Sequence, residues 1–179
     1  MTCIVGLVEG DKVYIGGDSA GVAGYDMQLR ADEKVFTNNE FIMGFTSSFR
    51  MGQILRYDFN PPDRYEKITD DTYLYKYWIN SVIETMKTKG YATVKEGKVA
   101  GGTFIFGYRK KLYTVENDFQ IGKMIKPYIA VGCGDKYALG ALYILEGIKK
   151  SPKDKVLLAL RAAEDRSAGV RGPFHIVEL

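Results

Sequence analysis

Thr2 is the residue whose chemistry the sequence makes easiest to read. It follows the initiator Met1, and a small penultimate side chain permits aminopeptidase removal of that methionine. A chain beginning at Thr2 would carry a hydroxyl and a free α-amine on adjacent carbons. Free α-amines titrate at about 7.7–8.0, so the amine can act as general base for the hydroxyl, directly or through a water. No histidine is needed. That suits a chain whose only histidine is His175, which argues against a His-based triad and against a zinc site. A Met-Thr start is a weak signal alone, because many cytosolic proteins begin this way for no catalytic reason. What surrounds Thr2 decides its weight.

The elements that must position Thr2 follow from periodicity. The segment from Thr2 to Val8 is apolar and β-branched and predicts a strand, Gly10-Asp11 a hairpin turn, and Lys12 to Gly17 the answering strand. Asp18 to Gly24, rich in small residues, is expected to be loop. Leu29 to Phe36 and Glu40 to Thr46 predict a second hairpin around Thr37-Asn38-Asn39. Ser47 or Ser48 can cap a helix through Ile54 and Leu55, which Asn60-Pro61-Pro62-Asp63 ends. Thr69 or Asp70 opens a longer helix, with Leu74, Trp78, Val82 and Met86 at i+4 spacing, ending at Lys89-Gly90. Ala100 to Arg109 and Lys111 to Val115 predict a third hairpin, and Tyr128 to Val131 a short central strand. Gly134 opens a helix with the stripe Ala138, Ala141, Leu142, Leu145 and Ile148. Ser151-Pro152 starts another, with Ser capping and Pro in the first turn. Phe174 to Leu179 closes the chain as a strand. Segregated strands and helices mean α+β, and the order fits a four-layer αββα sandwich of two antiparallel sheets between helical layers. The segment from Ala92 to Lys98 is the nearest thing to a linker, so residues 1–179 are expected to form a single domain.

Three short motifs at the start carry a family resemblance. Thr2-Cys3-Ile4-Val5-Gly6 is followed by Gly16-Gly17-Asp18-Ser19-Ala20-Gly21 and then by Asp32-Glu33-Lys34-Val35-Phe36. This resembles the opening of HslV and of proteasome β subunits, threonine peptidases of the N-terminal-nucleophile (Ntn) hydrolase fold. Counted from the threonine, Asp18 and Lys34 fall where the family's characteristic Asp and Lys fall. Further on, Ile42-Met43-Gly44-Phe45-Thr46-Ser47-Ser48 resembles the family segment before its first helix. Ala130-Val131-Gly132-Cys133-Gly134-Asp135-Lys136-Tyr137-Ala138 resembles the Gly-Ser-Gly segment before the third. Glu164-Asp165-Arg166-Ser167-Ala168-Gly169 resembles the β-subunit Asp-x-x-Ser-Gly-Gly loop. The likeness runs in order along nearly the whole chain. The helical extension that precedes proteasome α subunits is missing, so the chain resembles the catalytic class.

The resemblance implies a role for each matched residue. Lys34 beside the Thr2 amine places a positive charge near a base, which disfavours protonation and lowers the amine's pKa. Asp18 holds the Lys34 ammonium and offsets part of its burial cost. Ser47, within one residue, stands where the family uses a glycine amide to bind the oxyanion. Cys133 replaces a serine near the threonine amine; a thiol is the poorer hydrogen-bond partner, which leaves proton shuttling to water or Ser167. Glu164 stands where β subunits carry Asp, and its place on the inward stripe with Leu157 and Leu160 makes the Thr2 site its expected partner, with Asp165 as the alternative match. Cys3 should face away from Thr2 into the core. His175, the Tyr73, Tyr75, Tyr77, Trp78 run and Gly101-Gly102-Thr103 are better explained as strand, core and strand start; no Gly-Lys-Ser/Thr follows the last.

Composition excludes other classes. Hydrophobic residues make up 46% and charged residues 26% of 179, and the net charge of +3 is too small to point to nucleic acid or an acidic membrane surface. No apolar run is long enough to cross a bilayer, and Glu9 and Asp11 interrupt any signal-peptide pattern. Cys3 and Cys133 make no disulfide framework, which fits a reducing cytoplasm. The resemblance implies a homo-oligomer of stacked rings hydrolysing peptides or unfolded protein, fed by an AAA+ ATPase unfoldase, with no cofactor or metal. Two alternatives keep the same fold: a non-catalytic ring or scaffold subunit, and a small-amide Ntn hydrolase.

Overall fold

The computed structural model describes residues 1–179. Strands β1 (Cys3–Glu9) and β2 (Lys12–Gly17) form the opening hairpin, turning at Gly10 with φ 64°. Alternation divides β1 between two cores. Cys3, Val5 and Leu7 face one way and Ile4 the other, all buried. Strand β12 (Tyr128–Gly132) pairs with the free edge of β1, and β13 (His175–Glu178) with that of β2, giving an antiparallel sheet of order β12-β1-β2-β13.

The second sheet contains β5 (Val35–Asn38), β6 (Phe41–Phe45), β9 (Phe104–Tyr108), β10 (Lys111–Val115) and β11 (Ile121–Lys123), in the order β11-β10-β9-β6-β5. Its inner face supplies Val35, Ile42, Ile105 and Leu112, which meet Ile4, Val13, Ile15, Ile129 and Val131 of the first sheet. Its outer face is aromatic. Phe41, Phe104, Phe106, Tyr108 and Tyr113 lie under two helices, α1 (49–58) and α2 (70–88), around the fully buried Trp78. Ser48 caps α1 by accepting Arg50 N–H, and Thr69 caps α2 by accepting Thr72 N–H. Both helices contain a π-helical stretch, Ile54–Asp58 and Tyr73–Trp78. On the far side, α3 (Asp135–Leu145) and α4 (Pro152–Arg166) cover the first sheet with Ala138, Leu142, Val156, Ala159, Leu160 and Ala163. Ser151 caps α4 and Pro152 occupies its first turn. The layers run helix, sheet, sheet, helix: the αββα sandwich expected from the sequence. No helix is long and apolar enough to cross a membrane.

Four details differ from the sequence reading. The expected loop after Asp18 contains strand β3 (Ala20–Ala23), which pairs with β4 (Asp26–Leu29) through a turn at Gly24. Small residues have weak β propensity alone, and here the tertiary setting overrides it. The strand expected over Leu29 to Phe36 is broken: β4 ends at Leu29 and β5 begins at Val35, and Lys34, between them, buries its ammonium beside Asp18. The linker-like segment is a hairpin, β7 (Thr93–Lys95) with β8 (Lys98–Ala100), turning at Glu96-Gly97 where both residues have positive φ. Strand β11 was not foreseen; three residues are too few to display a period.

Candidate active site

Thr2 lies at the start of β1 with 4% of its surface exposed. Backbone geometry fixes it from behind. Gly132, at the end of β12, has φ 102°, and a side chain there would collide with the Thr2 carbonyl. That carbonyl accepts Gly134 N–H at 3.4 Å and the Cys133 thiol at 3.4 Å. In front, the Thr2 hydroxyl donates to the Met1 carbonyl, and its oxygen accepts from Lys34 Nζ at 2.9 Å.

Lys34 is 1% exposed, and all three of its N–H donors are used. The second goes to Asp18 Oδ1 at 2.8 Å and the third to the Ala20 carbonyl at 2.6 Å. Burial pushes its pKa below the ordinary 10.5, and the Asp18 charge and hydrogen bond oppose that push. Asp18, also 1% exposed, sits one residue beyond β2. Its carboxylate accepts three backbone N–H groups as well: Cys3 at 3.0 Å, Ala20 at 3.0 Å and Arg171 at 3.4 Å. A buried ion pair of this kind holds only when its remaining lone pairs are satisfied, as they are here.

The structure brings Cys133 and Ser167 to the other side of Thr2. The Thr2 N–H donates to Cys133 Sγ at 3.3 Å, and Ser167 Oγ donates to the same sulfur at 3.3 Å. Removing Met1 would turn that N–H into the α-amine, facing the thiol and the hydroxyl. Cys3 points into the helical core, where burial raises its thiol pKa far above the ordinary value. His175 pairs with Glu33 at 3.2 Å, away from Thr2.

Ser47 and Glu164 need closer description. Ser47 adopts φ 60°, a conformation glycine takes more easily. Its Oγ accepts Thr103 N–H at 3.0 Å, and its Cβ would lie 2.9 Å from a Cβ at position 102, which is glycine. Its own N–H donates to no group of the chain and stands at the cleft wall. Glu164 does not reach Thr2, contrary to the expectation from its inward stripe. The helix end aims its carboxylate at Gly172 N–H, 3.0 Å away. It thereby anchors the loop that gives Arg171 N–H to Asp18 and accepts Ser19 N–H on the Arg171 carbonyl at 2.9 Å. Asp165 pairs with Arg166 at the surface.

Thr2 opens into a cleft of about 280 Å³. One wall is the β3–β4 hairpin with Arg30; the other is Phe45 to Phe49. Sequence reading missed Arg30, Phe49 and Arg171. Arg171 acts through its backbone, which leaves no mark in side-chain type. The alternation Asp26, Gln28, Arg30 along one face of β4 and its continuation is the one signal that could have marked a polar cleft wall.

The fold is that of the Ntn hydrolases of proteasome type. Among solved structures, that of Thiobacillus denitrificans BPH in complex with epoxomicin matches with TM-score 0.80 and 17% identity, over 99% of this chain and 97% of the other. HslV from Trypanosoma brucei matches with TM-score 0.68 and 15% identity, over 99% and 98%. Anbu (ancestral beta-subunit) from Yersinia bercovieri matches with TM-score 0.65 and 12% identity, over 98% and 80%. No protein-family model and no curated protein matches the sequence.

Proposed function

We propose that this chain is the threonine-type endopeptidase subunit of a self-compartmentalising, HslV- or proteasome-like protease, acting through Thr2 once Met1 is removed. The observation that carries this reading is the Lys34 ammonium, which joins the Thr2 hydroxyl oxygen to the buried Asp18 carboxylate. Because Lys34 donates to that oxygen, the hydroxyl proton must point elsewhere, and it now goes to the Met1 carbonyl. With Met1 gone, the acceptor left in its place is the α-amine of Thr2. Thr2 Oγ then attacks the peptide carbonyl carbon while the amine takes its proton. The free N–H of Ser47 is the candidate donor to the oxyanion. Collapse breaks the C–N bond, and the leaving amine carries the proton away. A water deprotonated by the same amine hydrolyses the acyl ester and restores Thr2. Cys133 and Ser167 orient the amine, and Glu164 holds the 171–172 loop against Asp18.

Residues 1–179 form one such domain, which works in the cytoplasm as a homo-oligomer of stacked rings. An AAA+ ATPase unfoldase feeds it unfolded protein. BPH, which shares this fold, was solved in complex with epoxomicin.

The test is the intact mass of untagged protein before and after exposure to a peptide epoxyketone. A species lacking one methionine that gains one adduct, absent in Thr2→Ala, is expected. A species that keeps Met1, or loses it and takes no adduct, would replace this reading with that of a non-catalytic ring subunit. Hydrolysis of small amides but not of peptides would favour the third reading.

A further inference from the structure

The cleft is narrowed beside the nucleophile. Arg30 lays its guanidinium over the Phe49 ring at 3.7 Å, and the ring centroid stands 5.5 Å from Lys34 Nζ, the atom that touches Thr2 Oγ. The stack thereby joins the two walls, and Gly21 of β3 leaves it room: a Cβ there would meet the Arg30 stem at 3.0 Å and the Phe49 ring at 3.6 Å. Both partners have further contacts. Asp32 accepts from Arg30 Nε at 2.7 Å and from Nη2 at 2.5 Å, and Arg30 N–H donates to the Ser19 carbonyl at 2.9 Å. Phe49 is backed edge-on by the Phe45 ring at 5.8 Å. A cation held in a fork and stacked on an aromatic face is a stiff arrangement.

Resting on the nucleophile reading above, we infer that the Arg30–Phe49 stack determines specificity by size. A substrate residue whose carbonyl lies at Thr2 Oγ projects its side chain toward this stack. Glycine, alanine and serine fit in front of it; leucine, phenylalanine and tyrosine meet the ring. The Arg30 charge does not select acidic residues, because Asp32 already occupies its Nε and Nη2.

Four peptide epoxyketones that differ only in the residue next to the ketone test this: alanine, leucine, phenylalanine or glutamate. Adduct formation on Met1-free protein is followed by intact mass. The alanine probe should react at least about tenfold faster than the others, the discrimination a few methylenes can produce. Phe49→Ala should narrow or invert that ratio. Arg30→Ala should do the same, and its partly solvent-exposed side chain makes it the safer variant to fold. A wild type that takes leucine, phenylalanine or glutamate as readily as alanine overturns the inference. So does a ratio unchanged in Arg30→Ala. No adduct with any probe would instead overturn the threonine nucleophile, and this inference with it.

Discussion

Lys34 has three donors and three acceptors at under 3 Å, and its side chain is almost wholly buried. Its ionisation should therefore be visible in the stability of the chain. Burial lowers its folded-state pKa below 10.5, so the unfolded chain binds this proton more tightly than the folded one. Between the lowered value and 10.5, the unfolded state still holds a proton that the folded state has released, so Lys34's contribution to stability rises with pH. The urea midpoint of wild type relative to Lys34→Met should rise as the pH climbs toward 10.5. A constant difference would mean the ammonium is not desolvated. The variant itself should be less stable by about 3–5 kcal/mol, because it leaves Asp18 buried without its cation.

At the scale of elements, the site depends on how closely β12 approaches β1. Gly132 makes that approach possible, since its φ and the nearby Thr2 carbonyl both exclude a side chain. Gly132→Ala should destabilise the chain by at least about 1–3 kcal/mol and slow adduct formation at Thr2 more than melting alone explains. A variant with unchanged melting temperature and reactivity would show that β12 has room to shift. This dependence also explains what could be read in the sequence. Thr2, Asp18 and Lys34 each sit next to a strand end, so their spacing carries over into space, and the Cys133 and Ser167 positions followed from matched loops. The helix stripes and the caps at Ser48, Thr69 and Ser151 were legible because capping and period are local. The Arg30–Phe49 contact was not, because it exists only once the β3–β4 hairpin has folded across the cleft. Glu164 misled for the opposite reason: its stripe gave the correct face, but the direction of a carboxylate at a helix end depends on a loop eight residues away.

At the scale of the whole molecule, the two helical layers leave several large apolar side chains uncovered. Tyr25, Leu29, Tyr143 and Ile144 are each more than half exposed. A ring assembly, as proposed, would cover part of this surface. Sedimentation velocity of the untagged chain should give a particle many times 20.1 kDa. A species at 20.1 kDa would remove the ring from the proposed function while leaving the nucleophile in place.

The hydrogen bond between the Thr2 hydroxyl and the Met1 carbonyl has a consequence in time. Thr2 is buried, and the next residue already belongs to a strand paired on both edges. Met1 itself is half exposed, but an aminopeptidase that must draw the first few residues into its own groove would reach them most readily while β1 is still unpaired. On the proposed function, maturation would then be a race at the ribosome, and a chain that folds first would keep its methionine over the nucleophile.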